Sequence, residues 1–170
     1  MPIKIFIDTE FTDFIDCHLI SLGMAAESGE VFYAEVPYPD EACSAFVREA
    51  VIPLLGKIPH AQCAREDLAD NVLRWMDLIK GDDDDVEICF DYQTDWDLFI
   101  DALDYRVPQW CMSRLVASDI DDALVYAFHR TNGLPPHHAL YDAQANLYAF
   151  NGRQGATDTA SAVRVTAREP

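Results

Sequence analysis

Basic residues are scarce in this sequence, in which 12 Lys and Arg stand against 30 Asp and Glu over 170 residues, giving a net charge of −18. Surfaces that bind nucleic acid are normally basic because they face phosphates, so the composition argues against nucleic-acid binding through surface charge alone. Half of the residues are hydrophobic. That share is ample for one packed core and excludes a chain that is disordered throughout.

Long apolar runs and closely spaced cysteines are missing as well. No run approaches the ~20 apolar residues of a membrane-spanning helix, and the first residues lack the basic and small-residue regions of a signal peptide. The cysteines are odd in number, widely scattered and without a CxxC pair, which disfavours a zinc site or a disulfide framework. They are Cys17, Cys43, Cys63, Cys89 and Cys111. The sequence therefore predicts reduced thiols in a cytoplasmic protein.

Hydrophobic patterns predict strands first and helices afterwards. Residues 3–8, 19–26 and 31–36 have strand character, and the short Gly-containing connection at 27–30 predicts a hairpin, so the chain opens with a three-stranded meander. A helix is predicted from about residue 43 to 55, with a stripe of Phe46, Ala50 and Leu54. A second helix is predicted at 67–80, with Asp67 as a candidate cap.

The second half of the chain alternates between the two kinds of element. A strand is predicted at 86–92, followed by a helix marked by Trp96, Phe99, Ile100 and Leu103. Two further helices are marked by Ile120, Leu124, Ala127 and Phe128, and by Leu140, Ala143, Leu147 and Phe150. This order predicts an α/β fold in which helices flank a mixed sheet. Residues 1–150 form one domain in this interpretation, and the polar tail at 151–170 is expected to be poorly ordered.

Asp8 and Glu10 end the first predicted strand. Side chains alternate between the faces of a strand, so these two carboxylates share one face. Adjacent carboxylates repel each other unless a cation lies between them, and Mg²⁺ prefers such hard oxygen ligands. Two solvated acids at the end of a strand are the plain alternative, since a lone Asp-x-Glu pair often occurs by chance.

A second group of acids lies where the strand at 86–92 leads into a helix. Asp95 is at this junction and is either a metal ligand or an N-cap of the helix. Asp91 and Asp97 compete with it, although a carboxylate such as Asp97 near the first turn is favoured by the helix dipole alone.

The third group is the His-x4-Asp pair formed by His137 and Asp142. On one continuous helix an offset of five residues turns the two side chains about 140° apart. They can meet at one site only if His137 lies in the loop that Pro135 and Pro136 make ahead of the helix. A surface imidazole is the common alternative, and His138 is a neighbouring candidate.

Taken together and in this order, the three groups resemble the DEDDh superfamily of 3′–5′ exonucleases. The resemblance covers residues 3–150, and the opening Asp8-Thr9-Glu10-Phe11 is similar to that of ribonuclease T and the small ribonuclease T-like exoribonucleases of bacteria and phages. It implies a ribonuclease H-like fold and hydrolysis at the 3′ end of single-stranded nucleic acid, RNA rather than DNA. A homodimer is a further expectation from this resemblance.

The resemblance also implies roles for individual residues. Asp8, Glu10, Asp95 and Asp142 are at the positions that hold two Mg²⁺ or Mn²⁺ ions, and His137 is at the position of the general base. Phe11 and Thr9 are the expected substrate contacts, with Phe11 stacking on the terminal base or simply filling the core. The sequence departs from many relatives at Asp91, where they carry Asn or His, so Asp91 remains a rival of Asp95.

Two other functions fit parts of the sequence. A ribonuclease H-type endonuclease would share the fold, but the His-x4-Asp pair favours the exonuclease. A non-catalytic binding module with a vestigial nuclease site would explain the acidity, because an acidic surface suits a basic protein partner.

Overall fold

Five strands form one mixed sheet in the computed structural model, which describes residues 1–81 and 85–150. The strands are β1 (Ile3–Phe11), β2 (Leu19–Ala26), β3 (Val31–Glu35), β4 (Val86–Phe90) and β5 (Cys111–Leu115). Their order across the sheet is β3-β2-β1-β4-β5. The pairs β1–β2 and β2–β3 are antiparallel, whereas β1–β4 and β4–β5 are parallel. The predicted antiparallel meander with added parallel strands is confirmed.

Helices cover both faces of this sheet. They are α1 (Arg65–Lys80), α2 (Gln93–Ala102), α3 (Asp122–Asn132) and α4 (139–150). Successive side chains of β1 point to opposite faces of the sheet, so they contribute to two separate parts of the core. Ile5 and Ile7 pack with α1 and α2 on one face. Phe6 points the other way and packs against Phe150 of α4. Among the described residues, no helix has the length and apolar character needed to cross a bilayer.

The helix predicted at about 43–55 is irregular in the structure. Single turns at Asp40–Ala42 and Ile52–Leu54 flank a π-helical turn at Val47–Val51. The predicted stripe is also wrong by one residue, because Phe46 is 56% exposed while Cys43, Val47 and Val51 pack against Ile20. Pro53 contributes to the irregularity, since proline supplies no N–H and disfavours a regular helix in the residues before it.

Three further details differ from the sequence-based expectation. Ala64, rather than Asp67, is the N-cap of α1, and no side chain caps it. The edge strand β5 was not predicted, because Met112, Ser113 and Leu115 are exposed and give no apolar alternation. The predicted helix is present as α3, but it begins after Ile120, its Leu124, Ala127 and Phe128 are half-buried, and its one buried residue is His129. The tail predicted at 151–170 lies outside the described residues.

Candidate active site

The strand β1 carries Asp8 and Glu10 on the face opposite the α1 and α2 core. Across the antiparallel pair, Asp8 lies beside Gly23 and Glu10 lies beside Ser21. A Cβ added to Gly23 would lie 2.2–2.3 Å from backbone atoms of Ala139 and Leu140. The first turn of α4 therefore lies directly on the sheet beside Asp8.

Asp142 reaches the same place from α4. Because α4 begins at residue 139, His137 lies in the preceding loop, with a φ of 63°. Its backbone N–H donates to Oδ2 of Asp142 at 2.9 Å. The exposed His137 ring stands edge-on to Phe46, with 4.9 Å between the ring centroids. Because His137 lies in the loop, the ~140° angle that a continuous helix would place between the side chains of His137 and Asp142 does not apply.

The two adjacent histidines have different surroundings. His138 is 3% exposed and its ring is stacked between those of Tyr33 and Tyr141, at centroid distances of 4.5 and 3.9 Å. Its pKa is lowered, chiefly by burial. His137 alone of the pair presents an exposed imidazole, so it remains the candidate base.

Asp95 and Asp91 both approach Asp8. Tyr92 is the N-cap of α2, so Asp95 is not a cap but a buried residue of the first turn. Its Oδ1 accepts hydrogen bonds from Oγ1 of Thr9 at 2.6 Å and from the Thr9 N–H at 3.1 Å. Asp91 immediately follows β4, and its Oδ1 is buried without a hydrogen-bond partner in the described chain. Asp97, the third candidate here, is exposed.

The carboxylates form two groups that share Asp8. One consists of Asp8, Glu10 and Asp142, the other of Asp8, Asp91 and Asp95, and within each group one oxygen per residue lies within 4.8 Å of the others. Such sets of hard oxygen ligands fit Mg²⁺ or Mn²⁺. The orphaned oxygen of Asp91 supports the fit, because a buried carboxylate oxygen needs a donor or a cation.

Burial and repulsion between carboxylates raise the pKa of every acid in these groups, and for Asp91 the repelling neighbour is Asp122 of α3. Burial is the largest cause throughout, and neighbouring carboxylates add to it. The pKa of Glu10 rises to about 8, with Asp142 and Asp95 as the repelling neighbours. The pKa values of Asp95 and Asp142 rise to about 7. A divalent cation would reverse this effect because it stabilises the ionised forms.

His129 is a site residue that the sequence did not reveal. It is 9% exposed, its Nδ1 lies 3.1 Å from the Leu134 carbonyl oxygen, and its Nε2 lies 3.1 Å from Oδ1 of Asp142. Asp142 is therefore held on one oxygen by the His137 backbone and approached on the other by an imidazole. No motif pointed to His129, since it belongs to a helix whose apolar residues suggested a different buried face.

A cavity of about 680 Å³ opens beside the carboxylates. Asp8, Asp91, Asp142 and Asn146 line one side of it. The other side is a stripe of α3, and the loop at 133–136 closes one end. The stripe comprises Asp122, Val125, Tyr126, His129 and Arg130. The cavity gives access to Asp8 and Asp142 from solvent.

Aromatic side chains continue outward from β1. Phe11 is half-buried against the core and meets the exposed Phe14 edge-on at 5.1 Å, and Phe14 meets the exposed Tyr92 at 5.9 Å. Tyr92 adjoins Asp91 in the chain, so this cluster is close to the carboxylates. Thr9, by contrast, is 4% exposed and its hydroxyl donates to Asp95, and its role as a substrate contact stays a prediction.

Comparison with known proteins identifies the fold. No family model matches the sequence, and no curated protein does. The nuclease domain of 3′hExo, a DEDDh family member solved with bound rAMP, superposes with a TM-score of 0.61 at 14% identity, over 92% of both chains. Cell-death related nuclease 4 (CRN-4) superposes with a TM-score of 0.55 at 12% identity, over 92% of this chain and 64% of that one. The chain therefore has the ribonuclease H-like fold of DEDDh nuclease domains, as predicted.

Proposed function

We propose that this chain is a metal-dependent 3′–5′ exonuclease of the DEDDh superfamily. The observation that carries the proposal is the pair of carboxylate groups joined at Asp8, with His137 bound to Asp142 through its backbone N–H and its imidazole exposed. The His-x4-Asp pair and the superposition on DEDDh nuclease domains support the same function. Phosphodiester hydrolysis by two divalent ions is the reaction that such a ligand set serves.

Asp8, Glu10 and Asp142 would hold one Mg²⁺ or Mn²⁺ ion, and Asp8 with Asp95 would hold the other. Asp91 belongs to this second group in the structure, so we include it as a further ligand rather than an alternative to Asp95. Bound ions at such sites lower the pKa of a water and stabilise the departing 3′-oxygen. Thr9 fixes the Asp95 carboxylate through two hydrogen bonds, which keeps it oriented toward Asp8.

His137 would accept the proton of the attacking water. Partial burial lowers its pKa, and the nearby His129 lowers it further. The imidazole is therefore neutral at pH 7 and able to accept a proton. Because the backbone N–H of His137, not its ring, binds Asp142, the ring is left available for this role.

The 3′ end of single-stranded nucleic acid is the proposed substrate, with RNA preferred over DNA. The related 3′hExo domain was solved with rAMP, which supports a ribonucleotide. The exposed rings of Phe14 and Tyr92, with Phe11 behind them, offer stacking surfaces beside the carboxylates. Stacking of this kind contributes about 1–3 kcal/mol per base without requiring a basic surface. A ribonuclease T-like homodimer remains a prediction, and sedimentation would test it.

The non-catalytic alternative explains the site less well. Burying several carboxylates against one another raises their pKa values and destabilises the fold at neutral pH. A scaffold would gain nothing from this loss of stability.

A ribonuclease H-type endonuclease would use the same acids. An internally labelled circular substrate, paired with its complement, separates the two nucleases, because a ribonuclease H-type enzyme cuts within a duplex and only an endonuclease opens a circle.

The test is degradation of a 5′-labelled single-stranded RNA and the matching DNA, with Mg²⁺, Mn²⁺ or a chelator. An Asp8→Asn/Asp142→Asn variant removes two proposed ligands, and Asp77→Asn, an exposed acid of α1, is the matched control. We expect a ladder shortening from the 3′ end that needs metal, survives Asp77→Asn and is lost in the double variant. Intact RNA and DNA under all conditions, with no heat of cation binding by calorimetry, would support the acidic binding module instead.

A further inference from the structure

A chain with a net charge of −18 must hold an anionic strand with very few cations. Most Lys and Arg side chains in the described part of the chain are already neutralised by carboxylates of the same molecule. These ion pairs are Lys4–Glu27, Arg48–Asp40, Arg65–Asp101, Arg106–Asp70 and Arg114–Glu87. Within residues 1–81 and 85–150, phosphate contacts are therefore left to the few basic residues that form no such pair.

Arg130 is the basic residue that lines the cavity containing Asp8 and Asp142. It has no ion pair with any described residue, and its guanidinium lies 5.7 Å from the ring centroid of Tyr126, one turn earlier on α3. Asp122 also lines this cavity, but it is eight residues earlier on the same helix, about 12 Å along the axis. That separation places it beyond ion-pair contact with Arg130.

We infer that Arg130, held over Tyr126, binds a non-scissile phosphate of the strand as it enters the carboxylate site. The inference rests on the proposed nuclease function and adds a positioning residue to it. A guanidinium suits this role because its planar fork matches two phosphate oxygens and it is less strongly hydrated than an ammonium group. Stacking on Tyr126 restricts the guanidinium without neutralising it. A single phosphate contact supplied in this way reconciles an acidic protein with an anionic substrate.

The test compares two substrates. A single-stranded RNA of ten nucleotides carries phosphates beyond the one being cut, whereas a nucleoside 5′-(p-nitrophenyl) monophosphate carries only the scissile diester. The variants are Arg130→Gln, Arg130→Lys and, as a matched control, Arg74→Gln. Arg74 is exposed on α1, forms no ion pair with described residues and lines a different groove, next to β3. Thermal unfolding checks that each variant is folded.

We expect Arg130→Gln to raise KM for the RNA about tenfold with little change in kcat, since a charge-assisted hydrogen bond to phosphate is lost from substrate binding. The slope of log KM against log salt concentration should fall by about 0.7, the value for one phosphate contact on a single strand. Arg130→Lys should restore the slope while regaining only part of the affinity. Hydrolysis of the p-nitrophenyl ester should be unchanged.

Three results would overturn the inference. The first is an unchanged KM for RNA in Arg130→Gln, and the second is an equal rise in KM in Arg74→Gln. The third is an equal loss of activity of Arg130→Gln on RNA and on the p-nitrophenyl ester. That third result would mean that the Arg130 side chain supports the fold or the carboxylates and not the binding of a second phosphate. In all three cases the wild type still degrades RNA. If the wild type neither degrades nor binds RNA, the proposed function itself fails, and the inference fails with it.

Discussion

Gly23 of β2 and Ala139 at the start of α4 are in contact through their backbones, because Gly23 has no side chain. A Cβ on Gly23 would lie 2.2 Å from the carbonyl carbon of Ala139. Gly23 also pairs with Asp8 across the sheet. The same glycine thus sets the distance between the strand that carries Asp8 and the helix that carries Asp142.

Replacing Gly23 with alanine should separate these elements, since the colliding atoms belong to backbone that cannot rotate away. We expect Gly23→Ala to lower the free energy of unfolding by more than about 2 kcal/mol and to weaken Mg²⁺ binding. Gly29→Ala is the control, because Gly29 has a positive φ but nothing within 4 Å of its added Cβ. It should cost only about 1 kcal/mol and leave Mg²⁺ binding intact. Denaturant unfolding and calorimetry measure both effects, and equal losses in the two variants would contradict the argument.

One substitution distinguishes the proposed role of His137 as general base from the role of the carboxylates as metal ligands. His137→Ala keeps the backbone N–H that binds Asp142, so cation affinity and thermal stability should be unchanged. Removal of a general base lowers kcat by about 10²- to 10⁴-fold. Single-turnover kinetics with labelled RNA and calorimetry with Mg²⁺ provide the two readouts. A variant with normal kcat would exclude His137 from the base role, and His138→Ala would then be the next variant to measure.

His129 should behave in the opposite way, because its ring contacts Asp142 rather than the solvent-exposed side of the site. Groups that orient a ligand typically change metal affinity about 10- to 100-fold when they are removed. We therefore expect His129→Ala to weaken Mg²⁺ binding by that amount and to lose activity that a higher Mg²⁺ concentration restores. His129→Gln should retain part of the affinity. Activity that no Mg²⁺ concentration restores would show that His129 acts beyond the positioning of Asp142.

The contrast between these two histidines shows what the sequence could predict. His137 was a candidate because its spacing from Asp142 resembles the DEDDh pattern, and helix geometry lets such a pair converge only when the His precedes the helix. Nothing comparable pointed to His129, whose contact with Asp142 depends on how α3 packs and not on any local pattern. The meander was predictable from the alternation in β1 and from the apolar runs of β2 and β3, whereas the exposed edge strand β5 has neither signal. The segment at 40–54 was mispredicted because its four-residue spacing fits two registers, and only packing against Ile20 selects one.

The structure also bears on the choice between Asp91 and Asp95, since it brings both within reach of Asp8. We expect Asp91→Asn and Asp95→Asn each to weaken Mg²⁺ binding by at least about tenfold. Asp91→Asn should also raise the melting temperature without metal, because it removes a buried charge whose Oδ1 has no hydrogen-bond partner among the described residues. Asp97→Asn, an exposed neighbour on α2, is the control and should change neither quantity. Normal Mg²⁺ binding in Asp91→Asn would restrict the second group to Asp8 and Asp95.

Stability without metal should fall as pH rises, which is the reverse of ordinary acid denaturation. The pKa values of Asp95 and Asp142 are about 7 and that of Glu10 is about 8 in the folded chain, against 3.8 and 4.5 for the ordinary carboxyls. Between pH 4 and 8 the folded state therefore binds more protons than the unfolded state, and the free energy of unfolding decreases with pH. Below pH 4 both states are protonated and the effect ends.

We expect the melting temperature in EDTA to decline from pH 5 to pH 8, and Mg²⁺ to raise it more at pH 8 than at pH 6, because the cation binds the ionised carboxylates. The high net negative charge also destabilises the fold as pH rises, so a variant must isolate the contribution of the site. Asp8→Asn/Glu10→Gln removes two members of the group and should flatten the decline in EDTA. Asp77→Asn/Glu66→Gln makes the same substitutions at two exposed carboxylates of α1 and should flatten it less. Equal slopes in these two variants would attribute the pH dependence to overall charge and not to the carboxylates around Asp8.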